Sequence, residues 1–127
     1  ISRGYSTRKI IHRNDDKNKA SYLPTVSVIN ARSLFPKIES FSTHTKATNS
    51  QVAIITEIWG KNSKKEVLQI ENLLEMKGIK MIYDIRSDKR GGGTAVTACV
   101  EKFSMKRLNL PKEKGLEITG VLIKNID

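Results

Sequence analysis

Apolar positions fall in short blocks whose spacing alternates between strand-like and helix-like periods. Val26-Ser27-Val28-Ile29-Asn30-Ala31 is a β-branched run following Pro24, and it predicts a strand. Leu34, Ile38 and Phe41 then recur at helical spacing, with Ser33 as a candidate N-cap and Pro36 tolerable in a first turn. The polar stretch Thr43 to Asn49 predicts that this helix frays. Val52-Ala53-Ile54-Ile55-Thr56-Glu57-Ile58-Trp59 is continuously apolar up to Ile55, the pattern of a strand covered on both faces. Ser63 and Glu66 form a capping-box pattern, Val67, Ile70 and Leu74 make one helical face, and Gly78 closes it. Ile79 to Ile85, Thr94 to Val100 and Leu116 to Lys124 read as strands. Phe103 to Leu110 alternates more weakly, and Asp88 to Gly93 is a turn.

The stretch between the first two strand blocks exceeds the dozen or so residues that a parallel crossover needs, which predicts a β-α-β unit. Short turns join the later strands, which predicts antiparallel pairing. The expected fold class is α/β: a mixed β-sheet with helices on its outer face.

Composition narrows the picture. The 127 residues, 38% of them hydrophobic and 28% charged, suffice for one domain with a core. No apolar run approaches the roughly 20 residues of a membrane-spanning helix, so no membrane association is expected. The single cysteine, Cys99, excludes an internal disulfide, and Cys99 with His12 and His44 is too few for a four-ligand zinc site. A start at Ile1 instead of Met suggests a fragment or processed product, and no secretory signal is visible. Lys and Arg number 23 against 13 Asp and Glu, a net charge of +10 that reads either as plain solubility or as the mark of a polyanionic partner, nucleic acid or an anionic membrane face. Residues 1–21 are basic with almost no apolar periodicity and read as a flexible arm, a salt-sensitive phosphate contact or a bare linker, ahead of a domain over 22–127.

Two residues carry candidate chemistry. In a β-α-β unit both strands point the same way, so Asn30 and Glu57 fall near the carboxyl ends of neighbouring strands, where α/β sheets gather ligands. A carboxylate partly buried by its neighbours needs a partner, either a cation such as magnesium or an Arg or Lys in a structural ion pair. Arg90-Gly91-Gly92-Gly93 is either an ordinary hairpin turn or a backbone approach to phosphate, and it lacks the rest of a Walker loop. His12 and His44 read as solvated, Cys99 as a small core residue, and Trp59 as a core anchor rather than a stacking platform.

Leu23-Pro24-Thr25-Val26-Ser27-Val28-Ile29-Asn30-Ala31-Arg32-Ser33-Leu34, then Ile54-Ile55-Thr56-Glu57-Ile58-Trp59, then Lys89-Arg90-Gly91-Gly92-Gly93-Thr94-Ala95-Val96 and Leu116-Glu117-Ile118, together resemble the endonuclease/exonuclease/phosphatase superfamily. More narrowly, they are similar to the N-terminal half of the apurinic-type endonuclease domain of non-LTR retrotransposons. The resemblance implies half of a four-layer α/β-sandwich that nicks DNA by magnesium-dependent phosphodiester hydrolysis, with manganese as a substitute, to prime reverse transcription. It implies Glu57 as metal ligand, Asn30 as a catalytic residue in the active-site hydrogen-bond network, and Arg32 and Arg90 as DNA-backbone contacts. A reverse transcriptase would be an associated domain, and the location intracellular and nuclear. The Gly-Asp-x-Asn, catalytic tyrosine and Ser-Asp-His elements of such domains are absent here, so the chain alone is expected to be a truncated, inactive partial domain whose exposed apolar surface favours association. Two other readings stand beside it: a non-catalytic basic nucleic-acid-binding module and a related phosphoesterase.

Overall fold

The computed structural model describes residues 5–9, 24–48, 51–60, 64–85, 91–113 and 115–126. Among the described residues, seven strands and two helices follow in the order β1 (Tyr5–Lys9), β2 (Thr25–Asn30), a 3-10 turn (Phe35–Lys37), α1 (Ile38–Ala47), β3 (Val52–Trp59), α2 (Lys64–Met76), β4 (Ile79–Asp84), β5 (Gly92–Cys99), β6 (Phe103–Arg107) and β7 (Val121–Asn125). β1 to β5 form one sheet in the order β1-β2-β3-β5-β4, and β6 pairs with β7 separately. The β2-β3 pair is parallel, joined through α1, and the remaining pairs are antiparallel. This is the mixed α/β class that the periodicity predicts.

The core lies between the sheet and its helices. Ile29, Ile55, Met81 and Ala95 from the strands meet Leu34, Ile38 and Phe41 of the first crossover and Val67, Ile70 and Leu74 of α2. The last three are fully buried, as their helical spacing requires. Gly78 ends α2 at φ +77°, a left-handed closure suited to glycine.

The opposite face is only partly covered. A smaller cluster of Val52, Ala98 and Phe103, with Val26, Val96, Met105 and Ile123 beside it, seats the β6-β7 ribbon there. Val28 and Ile54 on this face remain 48% and 43% exposed. β3 is therefore not covered along its whole length on both faces: one side packs on helices, while the other is covered by the ribbon at Val52 and open at Ile54.

Other expectations change as well. Tyr5–Lys9, assigned to the arm by its polar composition, is an edge strand antiparallel to β2, with Tyr5 opposite Ile29 and Lys9 opposite Thr25. Main-chain pairing requires no apolar periodicity. Residues 1–4 and 10–23, including His12, lie outside the described residues, as do Asn62 and Ser63. Ser33 caps no helix; it adopts φ +79°, and α1 begins only after the 3-10 turn. α1 runs on through Ala47 instead of fraying. The last strand starts at Val121, not Leu116, because Glu117 and Thr119 are drawn away to the sheet rim.

Candidate metal and nucleic-acid site

The parallel register sets the site. Asn30, the last residue of β2, stands opposite Thr56, and Glu57 follows directly. The two carboxyl strand ends are laced together beyond the sheet: Ala31 N–H donates to Thr56 O (2.9 Å), Ser33 N–H to Glu57 O and Leu34 N–H to Ile58 O (both 2.8 Å). Asn30, Glu57 and Arg32 are all exposed, so the structure brings these three sequence-predicted residues to one solvent-facing rim. Arg90 lies outside the described residues.

Glu57 reaches that rim through a bulge. Thr56 pairs with Thr94 and Trp59 with Gly92, so β3 carries one more residue than β5 between those pairs. Glu57 takes φ +54°, and Ile58 turns into the core with no exposure. Such strain in a non-glycine residue persists only where surrounding contacts over-determine it. Glu57 is thus exposed, not half-buried as its apolar neighbours suggest, and no described ion pair satisfies it.

Asn30 also begins a polar row. Thr56, Thr94 and Asp84 are successive cross-strand neighbours along the rim. Sequence reasoning missed this row because its members meet only through register. Asp84 is already engaged: Oδ2 accepts from Arg107 Nη1 and from Thr119 Oγ1, each at 2.8 Å. Thr119 and Thr94 hydroxyls lie 2.6 Å apart, and Arg107 Nη2 donates to Tyr83 O at 2.6 Å. Residues 108–113 and 115–120 are thereby fastened over the rim, where an open cleft of about 710 Å³ is lined by Arg107, Lys112, Glu117 and others.

The glycine turn holds a carboxylate of its own chain. Gly93 N–H donates to Glu117 Oε2, so that amide is not vacant for a phosphate. Gly91, Gly92 and Gly93 all have positive φ.

The remaining candidates are structural. Trp59 is buried in the core as an anchor, and its Nε1 has no hydrogen-bond partner among the described residues. Cys99 is half-buried at the end of β5, not enclosed. His44 is likewise half-buried, with Nε2 3.3 Å from the buried Ser27 hydroxyl, instead of solvated.

Among the described residues no three His, Cys, Asp or Glu side chains converge as a metal cage. Among the described residues the rim offers the exposed carboxylate of Glu57 and, at the adjoining strand end, the amide of Asn30. That set suits magnesium, which keeps several waters and takes one or two carboxylates together with substrate phosphate. No described helix is long and apolar enough to cross a membrane. No protein-family model, curated protein or solved structure matches the chain.

Proposed function

We propose that this chain carries the metal-binding rim of a magnesium-dependent DNA endonuclease, of the kind that non-LTR retrotransposons use to nick a target and prime reverse transcription. The observation that supports this most is the placement of Asn30 and Glu57 at adjoining carboxyl ends of a parallel strand pair. Ligands of α/β sheets collect at that edge. Glu57 would hold magnesium, with manganese able to replace it, and Asn30 would hydrogen-bond the active-site network beside the scissile phosphate. The ion would supply charge neutralisation at the phosphate and the leaving oxygen. Arg32, exposed next to Asn30, would contact the DNA backbone, as would Arg90 from the glycine turn.

Hydrolysis further needs a group to take a proton from water. The Asp/Asn, tyrosine and histidine elements for that step are not among these residues, so the 127-residue chain binds without cleaving. Expected behaviour is salt-sensitive binding to duplex DNA that magnesium tightens, with no nicking of supercoiled plasmid. Glu57→Gln abolishes the magnesium effect and leaves basal binding in place.

The +10 charge favours a second reading, a nucleic-acid-binding module without catalytic ancestry. Binding that ignores both magnesium and the Glu57→Gln change would select it. Plasmid nicking by the chain alone would contradict the claim that a proton acceptor is missing.

A further inference from the structure

The turn that follows Asn30 is held in an unfavourable conformation. Arg32 and Ser33 are consecutive non-glycine residues at φ +47° and +79°, where the β-carbon crowds the backbone. Main-chain bonds from Ser33 and Leu34 fasten the turn to β3. A further tie comes from a side chain. Lys37 Nζ donates to Ala31 O at 2.6 Å and lies 3.5 Å from Arg32 O.

Lys37 is exposed, and an exposed ammonium is ordinarily left to water. Here it sits on two successive carbonyls, the first belonging to the residue directly after Asn30. A charged donor makes such bonds shorter and stronger than neutral ones. Pro36, within the 3-10 turn, restricts the backbone just before Lys37 and so limits where the ammonium can reach.

We propose that Lys37 is a positioning residue for the Asn30–Glu57 rim: its ammonium clasps the carbonyls of Ala31 and Arg32, holds the left-handed turn, and so sets the site for a divalent cation. This rests on the metal-binding reading above. The clasp works through the backbone, so the charge and reach of the side chain matter and direct contact with ligand does not.

The test compares wild type, Lys37→Met and Lys37→Arg in the full chain, by amide hydrogen exchange and by Mn²⁺ binding followed through water-proton relaxation. Lys37→Met is expected to melt within a few degrees of wild type. Its Ser33 and Leu34 amides should exchange at least several-fold faster, amides inside the sheet should keep their protection, and Mn²⁺ should bind roughly tenfold more weakly, the scale of losing an outer-shell partner. Lys37→Arg should restore both properties. Unchanged exchange at Ser33 and Leu34 overturns the clasp. Faster exchange with unaltered Mn²⁺ affinity overturns its positioning role. A wild type that binds no Mn²⁺ removes the metal reading and the positioning role with it, while the exchange comparison still decides whether Lys37 holds the turn.

Discussion

Gly93 backs directly onto Ile58: a Cβ at position 93 would fall 2.7 Å from Ile58 Cγ1 and 3.2 Å from Cδ1. Ile58 occupies that place only because the bulge at Glu57 turns it into the core. The glycine turn and the candidate metal ligand are therefore parts of one packing arrangement. Gly93 also has φ +87°, which an L side chain adopts at a cost. Gly93→Ala should lose about 2–4 kcal/mol of stability from strain and overpacking together. Urea unfolding measures this, and a loss below about 0.5 kcal/mol would show that the bulge can yield.

Ser33 sets strain against a hydrogen bond. Its hydroxyl donates to the buried Glu66 Oε1 at 3.5 Å, and Glu66 Oε2 has no hydrogen-bond partner among the described residues. Ser33→Ala deprives that carboxylate of the contact while keeping the left-handed strain, a cost of about 1–3 kcal/mol. Ser33→Gly also loses the hydroxyl but relieves the backbone by about 1 kcal/mol. The glycine variant should therefore be the more stable of the two in denaturant melts. The reverse order would contradict the strain assigned to this turn.

Tyr83 titrates above the ordinary phenol range. Burial raises it, the Glu71 carboxylate raises it further, and the Arg107 guanidinium partly opposes both. Between the unfolded and folded values the native chain holds a proton that the unfolded chain has released. Stability then falls as pH rises through that interval. Absorbance titration near 295 nm should show Tyr83 ionising late. Arg107→Met should delay it further, and an earlier ionisation in that variant would contradict the assignment.

The half-open sheet face makes its own prediction. Val28 and Ile54 stand 48% and 43% exposed on the side away from the helices. Parallel strands are usually covered on both sides, and contiguous exposed apolar surface favours association. Replacing both with Thr should change stability by no more than about 1 kcal/mol and should reduce concentration-dependent self-association in sedimentation velocity. Undiminished association would place the sticky surface elsewhere.

What was legible in the sequence followed from periodicity. Val67, Ile70 and Leu74 point at the core because a helix has no other way to bury them together. The neighbouring ends of β2 and β3 follow from strand-helix-strand order. Exposed apolar surface was expected from the partial-domain resemblance, but its place was not legible, since Val28 and Ile54 read alike whether or not a layer covers them. Ser33 misleads because the same hydroxyl suits a helix cap or a strained turn. The Asp84–Thr119–Thr94 network was invisible for a different reason: cross-strand register and a long loop bring those residues together, and no spacing along the chain records either. Glu57 occupies a middle ground, its strand end foreseeable but its bulge and exposure visible only in three dimensions.

Glu57 and Asn30 are proposed to receive a divalent cation together. Paramagnetic broadening of backbone amide signals by substoichiometric Mn²⁺ tests it most directly. Broadening centred on Asn30, Thr56 and Glu57 that disappears in Glu57→Gln is the predicted result. Broadening that is absent from this rim, or that persists there unchanged in the variant, would contradict it.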